Sequence, residues 1–96
     1  MKIHVLDAAE ADLASGFRFY ELQKENLGWQ FLESLFTDID RLSTQAGIHE
    51  VVHGPFRCLA RRFSFAIYYS LERDSVWVRA VLDCRQNPTS IESRLG

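Results

Sequence analysis

The chain has 96 residues, which is the size of one small domain and too short for two. Hydrophobic residues make up 47% and charged residues 25%, a composition that supports a packed core and excludes an intrinsically disordered chain. The net charge is −2, but it is unevenly spread: residues 1–50 hold four basic against nine acidic residues, and residues 51–96 hold seven arginines against four acidic residues. The basic second half favours an anionic partner, although exposed arginines are commonly only solvated.

Several classes of protein are disfavoured by what the sequence lacks. No apolar run approaches the roughly 20 residues that cross a bilayer, and the N-terminus lacks the apolar core of a signal peptide, so we expect a cytoplasmic protein with no membrane contact. A glycine-rich phosphate loop and a G-x-S-x-G turn are both missing. We therefore predict no cofactor and no nucleophilic catalysis.

The N-terminal half predicts a strand and two helices. Residues 2–6 alternate polar and apolar side chains, and Asp7 then starts a helix, with its carboxylate placed to accept from first-turn amides. Gly47 is a natural stop for the second helix. The apolar stripes of the two helices are Leu6, Ala9, Leu13, Phe17 and Tyr20 in the first, and Phe31, Leu32, Leu35, Ile39, Leu42 and Ala46 in the second. These helices should form an antiparallel hairpin on one face of a sheet.

The segment from His49 to His53 matches the H-E-x-x-H pattern of zinc metalloproteases. That chemistry needs both histidines one turn apart on a helix, whereas this pentad contains two valines and lies between Gly47 and Gly54. A third ligand is also missing. We predict a loop or edge strand here, and no metal site.

Residues 56–88 predict three antiparallel strands. Alternation places Phe65, Ile67, Tyr69 and Leu71 on one face of the middle strand, and Val76, Val78, Ala80 and Leu82 on one face of the last. Residues 72–75 should form the hairpin loop, and Pro88 should end the last strand. The tail from about residue 89 should be flexible or a short helix. Cys58 and Cys84 should lie on separate, non-adjacent strands and remain unpaired.

Arginines and aromatic residues cluster along these strands. By alternation, Arg57 and Arg61 share one side of the first strand with Leu59, and Arg79 shares a side of the last strand with Trp77, Val81 and Asp83. Such a face could clamp phosphates and stack bases, or bind a partner's carboxylates through bidentate hydrogen bonds. The alternative is a solvated face in which Asp83 and Glu72 pair with some of the arginines.

Three segments resemble the RelE/ParE superfamily of bacterial toxins, and its ParE branch in particular. They are AEADLASGFRFYE, LGWQFLESL and FRCLARRFSFAIYYSLERDSVWVRAVLDCRQNP, which together cover most of residues 9–88. The resemblance implies an α+β fold, with a strand and then a two-helix hairpin packed on a twisted antiparallel sheet of three to five strands. The first strand should lie beside the last, and the whole chain, residues 1–96, should form a single toxin domain.

The resemblance also implies a function. Members of the superfamily are toxins of type II toxin–antitoxin systems, often in plasmid stabilisation modules, and a cognate antitoxin neutralises them. ParE-type members inhibit DNA gyrase, whereas RelE-type members cleave mRNA on the ribosome. We expect a ParE-like growth inhibitor that acts by protein binding rather than turnover; the alternatives are a RelE-like ribosome-dependent mRNA endonuclease and a degenerate, non-toxic member.

The nuclease alternative meets a specific difficulty. Many relatives place a histidine after the last strand, where this chain has Asp83, and the tail holds no tyrosine, histidine or lysine. Cleavage through the 2′-hydroxyl needs a base and an acid. If the protein is an RNase, its catalytic residues would be Arg61, Arg79, Asp83 and Arg85. Apart from that ribosomal case, the acidic helices disfavour direct nucleic-acid binding.

Our predicted binding residues for the target or the antitoxin are Arg57, Arg61, Arg62, Tyr68, Trp77, Arg79 and Arg85, with Tyr68 and Trp77 as aromatic anchors. The predicted core comprises Leu13, Phe17, Phe31, Leu35, Ile39, Ile67 and Val78. Trp29 and Phe36 miss the main apolar stripe and could serve the antitoxin, or Trp29 could simply cap the core.

Overall fold

A computed structural model describes all residues 1–96. The elements in chain order are β1 (Lys2–Val5), α1 (Asp7–Gln23), α2 (Leu27–Gln45), β2 (Glu50–Val51), β3 (Phe56–Leu59), β4 (Phe65–Glu72), β5 (Ser75–Asp83) and α3 (Pro88–Leu95). The predicted α+β class and the strand and helix-hairpin order are confirmed. No helix is both long and apolar enough to cross a membrane.

The five strands form one sheet in the order β1-β5-β4-β3-β2. The first strand lies beside the last, as predicted, and runs parallel to it, from Lys2 opposite Ser75 to Val5 opposite Val78. The other three pairings are antiparallel, so the sheet is mixed rather than wholly antiparallel. The parallel pairing is possible because the α1–α2 hairpin and the β2–β4 meander together provide the long connection that parallel strands need.

The helix hairpin covers one face of the sheet, which we call the helix-covered face. Thirteen buried residues form the main core there, from both helices and from β4 and β5. Six of the seven predicted core residues are buried: Leu13, Phe31, Leu35, Ile39, Ile67 and Val78. Phe17 is only half-buried, because it lies at the rim of the hairpin with its ring edge-on to Trp29, 4.8 Å between centroids.

Phe31 is the centre of an aromatic cluster in this core. Its ring lies 4.8 Å from Phe65, 5.2 Å from Tyr20 and 5.3 Å from Phe63. Gly16 faces it from α1, and a Cβ at that position would lie 2.5 Å from the Phe31 ring. The close approach of the two helices therefore depends on the missing side chain.

The β4–β5 hairpin contains two local features. Arg73 and Asp74 form a two-residue turn with φ of 51° and 62°, the conformation that matches strand twist in tight hairpins. The predicted loop of residues 72–75 is thus shorter, because Glu72 and Ser75 already pair. Further along, Tyr68 pairs with Ala80 but Tyr69 pairs with Val78, so Arg79 is an extra residue in a β-bulge.

The predicted alternation of β5 is wrong beyond the bulge. Val76, Val78 and Val81 lie in the main core, whereas Ala80 and Leu82 lie in a second cluster on the opposite face. Val76, Val78, Ala80 and Leu82 therefore do not share a face, because one extra residue shifts the two-residue period.

The starts of helices α1 and α3 also differ from expectation. Leu6 is the residue before α1, and no side chain caps the helix, so the predicted Asp7 cap is wrong; Asp7 is already helical. The last strand ends at Asp83, and Pro88 begins α3 instead of ending β5, consistent with the fixed φ that suits proline to a first helical turn. The tail forms this short helix in the structure.

Candidate functional site

The sheet face opposite the helix hairpin, which we call the open face, carries a small apolar cluster. It consists of Ala66, Tyr68, Ala80 and Leu82, and Ile91 and Leu95 of α3 pack against it. Tyr68 is only 2% exposed. The predicted aromatic anchor is therefore covered, because α3 occupies this part of the sheet.

Hydrogen bonds among three residues connect α3 to α1 and β5. Asp12 of α1 accepts hydrogen bonds from both terminal nitrogens of Arg94, at 2.8 and 2.9 Å, and from the Val81 amide at 3.0 Å. Since β1 pairs with β5 only as far as Val78, the Asp12 carboxylate supplies an acceptor where the strand edge would otherwise be open. The Asp12 hydrogen bond raises the pKa of Arg94, against the effect of burial. Sequence analysis did not single out either residue.

Beside the apolar cluster, the open face carries polar groups without partners. The half-buried Trp77 stacks on His4 of β1, with 4.1 Å between ring centroids and 16° between planes. The indole Nε1 of Trp77 and the Nε of Arg57 are both buried and have no hydrogen-bond partner. Burial acts to lower the pKa of Arg57, but the Cys84 thiol and the Tyr68 hydroxyl nearby raise it overall.

Arg79 lies on this face beside Trp77, and the bulge at Arg79 reverses the faces of the residues that follow it. Its side chain is exposed and donates to the Ser70 hydroxyl at 3.4 Å. It shares a face with Trp77, as predicted, but not with Val81, which is in the main core. Arg57, Tyr68, Trp77 and Arg79 are thus brought together on the open face.

Arg61 and Arg62 lie elsewhere. Strand β3 ends at Leu59, so the predicted alignment of Arg61 with Arg57 along one strand is wrong. The Arg61 amide donates to Asp38 of α2 at 3.0 Å, which holds the β3–β4 loop against that helix.

Arg85 is occupied by an ion pair at the end of β5. Its Nε and Nη2 donate to Asp83 at 2.9 and 2.8 Å, and Nη2 also lies 3.4 Å from the Tyr20 hydroxyl. These hydrogen bonds lower the pKa of Asp83 despite partial burial, and they raise that of Arg85. A carboxylate with a lowered pKa is a weaker base.

The four conditional nuclease residues are not assembled into one site. Arg61 contacts α2, Arg79 lies on the open face, and Asp83 with Arg85 lies beside Tyr20 of α1. The only mutual contact among them is the Asp83–Arg85 ion pair.

The H-E-x-x-H segment is not helical. Glu50 and Val51 form the edge strand β2, as predicted, and His53 has a positive φ of 56°. His49 hydrogen-bonds through Nδ1 to the Tyr69 hydroxyl, which also accepts from the Gly47 amide at 2.9 Å. No group of three or more histidine, cysteine, aspartate or glutamate residues could hold a metal ion. Cys58 and Cys84 are free thiols.

The outer surface of the helix hairpin exposes apolar side chains. Trp29 is 60% exposed and Phe36 43%, and Phe19 and Leu22 of α1 are exposed as well. A concavity of about 440 Å³ between the helices is lined by Val5, Glu10, Leu13, Ala14, Leu32 and Phe36. The exposed Trp29 does not cap the core, although it packs on the rim residue Phe17. Phe19 and Leu22 could have been found as apolar residues outside the α1 stripe.

No family model and no curated protein matches this sequence. Among solved structures, the chain is similar to a chain described as "Chromosomal ParDE TA system from P. aeruginosa", with a TM-score of 0.77 and 15% sequence identity. The match covers 84% of this chain and 92% of the other. The protein therefore has the fold found in a ParDE system, and the predicted ParE-like fold is confirmed.

Proposed function

We propose that this protein is the toxin of a type II toxin–antitoxin pair, of the ParE type, and that it inhibits growth by binding DNA gyrase. The observation that carries the proposal is the fold shared with a chain of the ParDE system over most of both lengths. The arginine-rich strands that first suggested this class lie within that fold. Binding rather than turnover is favoured because the candidate nuclease residues are dispersed and Asp83 is ion-paired.

The proposed partner is a cognate antitoxin that neutralises the toxin by covering its surface. The exposed apolar residues of the hairpin, Trp29 and Phe36 among them, suit the apolar face of an amphipathic helix. The mainly apolar concavity between α1 and α2 could take apolar side chains of such a helix, and Glu10, which also lines it, could pair with a basic residue of the partner. A segment that folds upon binding would offset its ordering entropy by burying this surface.

The test is a paired assay on purified, antitoxin-free protein. One arm measures supercoiling of plasmid DNA by gyrase, and the other measures cleavage of mRNA in a translating extract. Loss of supercoiling with intact mRNA is the expected result. Codon-phased mRNA cuts with normal gyrase activity would contradict it and favour the RelE-like alternative, and absence of both effects would indicate a non-toxic member.

Charge reversal tests the proposed contact residues. We expect Arg57→Glu with Arg79→Glu to abolish growth inhibition, because both arginines lie on the open face and reversal repels an anionic target surface. Arg73→Glu in the exposed hairpin turn is the matched control and should remain toxic. Circular dichroism must show that both variants are folded; a folded double variant that retains full toxicity would contradict the assignment.

A further inference from the structure

A polar pocket lies between α2 and the β3–β4 loop, away from the open face and from the apolar hairpin surface. Its volume is about 270 Å³, and no hydrophobic residue lines it. The lining residues are Gln30, Glu33, Ser34, Thr37, Asp38, Arg41, Arg61 and Arg62. The α2 residues in this set recur at three- or four-residue spacing, so they lie along one side of the helix.

Asp38 holds this pocket together. It is only 5% exposed, and both carboxylate oxygens are used: Oδ1 accepts from Arg41 at 3.1 Å and Oδ2 accepts from the Arg61 amide at 3.0 Å. The charge of Arg41 is therefore balanced by Asp38, and the start of the loop is fixed against α2. A loop held in this way loses less backbone entropy when a ligand binds to it.

The guanidinium groups of Arg61 and Arg62 remain free. Both residues are exposed, and neither side chain makes a hydrogen bond or an ion pair within the protein. By contrast, Arg41, Arg85 and Arg94 each pair with an aspartate. Each of these two free guanidinium groups offers the planar, bidentate donor geometry that fits a carboxylate.

We propose that this pocket binds an acidic segment of a protein partner, with a glutamate or aspartate side chain held by Arg61 and Arg62. The inference rests on the proposed function, since the antitoxin is the expected partner, and it assigns that partner an acidic contact segment. Glu33 lines the same pocket and repels any anion, but one side-chain carboxylate needs only the two arginines, whereas a nucleic-acid backbone would bring a continuous run of phosphates past Glu33. The amide side chain of Gln30 adds a donor for the same anion.

A chemical-shift titration of the full-length ¹⁵N-labelled protein tests the proposal directly. The probe is the peptide acetyl-Glu-Ala-Glu-amide, and acetyl-Gln-Ala-Gln-amide is the uncharged match. We expect the acidic peptide alone to shift the amide signals of Arg61, Arg62 and Asp38, with an affinity that falls as salt rises. Shifts of equal size with both peptides, or shifts confined to other residues, would overturn the proposal.

Two variants sharpen the result. Arg61→Gln with Arg62→Gln should weaken binding of the acidic peptide by about tenfold or more, because two charged donors are lost. Arg73→Gln, which alters an exposed arginine of the β4–β5 turn, should bind like the unmodified protein. Undisturbed spectra outside residues 60–64 would show that the double variant is folded. Unchanged affinity in that variant would place the anion elsewhere and contradict the proposal.

A final titration distinguishes a protein carboxylate from a nucleic-acid phosphate as the bound anion. Oligothymidylate that binds at the same amides more tightly than the acidic peptide would overturn the protein partner in favour of nucleic acid. These titrations do not depend on toxicity, so failure of the pocket and failure of the toxin proposal are seen in different experiments.

Discussion

At the scale of single residues, two aspartates determine how loops and helices attach to the sheet. Asp38 and Asp12 each accept one backbone amide and one arginine, and each joins segments far apart in sequence. Neither was identified from sequence, because an acidic residue on an amphipathic helix has no local signal that separates a structural acceptor from a solvated side chain. The pairing partners are supplied only by the tertiary fold.

Asp38→Ala should lower the free energy of unfolding by roughly 2 kcal/mol, because it leaves the Arg61 amide and Arg41 without their acceptor. Urea denaturation followed by circular dichroism measures the change. Asp40→Ala is the matched control, since it lies on the same helix, is exposed and gains the same helix propensity. Equal stability of the two variants would show that the Asp38 contacts contribute nothing measurable.

The Asp83–Arg85 pair should make stability depend on pH in the acid range. The pKa of Asp83 is lowered in the folded protein, so the pair's contribution is present above the unfolded carboxyl pKa of about 3.9 and is lost as pH falls through the lower folded pKa. The original protein should therefore exceed Asp83→Asn in stability most at neutral pH, with the gap closing in acid. A gap that stays constant or widens in acid would contradict this, and Asp40→Asn controls for general charge effects.

At the scale of elements, the sequence correctly predicted the helices and strands that show an uninterrupted apolar periodicity. The helices α1 and α2 and the strand β4 follow their apolar periodicity, and the hairpin on the sheet follows from their stripes. The predicted face of β5 failed at Arg79, because a bulge changes the side-chain period without leaving a residue signature in a single sequence. The predicted site residues are likewise separated in the structure, because the prediction treated each strand as uninterrupted. Strand β3 ends before Arg61, and the bulge in β5 places Val81 on the other face from Trp77 and Arg79.

The contact between α1 and α2 depends on Gly16. Gly16→Ala gains helix propensity, but its Cβ would overlap the Phe31 ring, and overpacking typically costs 1–3 kcal/mol. We expect a net loss of about 1 kcal/mol in the free energy of unfolding, measured by urea denaturation. Phe31→Leu should cost less in the Gly16→Ala background than alone, because the smaller side chain relieves the overlap. Strictly additive effects would show that the two residues do not interact.

At the scale of the whole molecule, the arginines of the basic second half are divided among separate regions. Arg57 and Arg79 lie on the open face, Arg61 and Arg62 at the α2 pocket, and Arg85 and Arg94 in ion pairs. The acidic hairpin lies on the other side of the sheet. Such a molecule has separate basic surfaces instead of one continuous basic track, which suits protein partners better than a nucleic-acid duplex.

The single domain predicted for residues 1–96 has a direct test. Because the main core draws on both helices and the central strands, helix and sheet should unfold together. In Trp29→Phe, Trp77 is the only remaining tryptophan and reports on β5. Its fluorescence and the helical circular dichroism signal should follow coincident urea transitions, and an earlier fluorescence change would contradict a single cooperative unit.

The pairing of β1 with β5 has a consequence for synthesis of the protein in the cell. Strand β1 is made before the other strands, but its partner is β5, the last of the five strands in sequence order, since Lys2 pairs with Ser75. Until β5 is made, Ile3 and Val5 cannot pack into the completed core, and β4 is paired on one side only, with β3. Chains terminated before β5 would therefore be unfolded and open to proteolysis, and the sheet would be completed only after residues 75–83 have been synthesised.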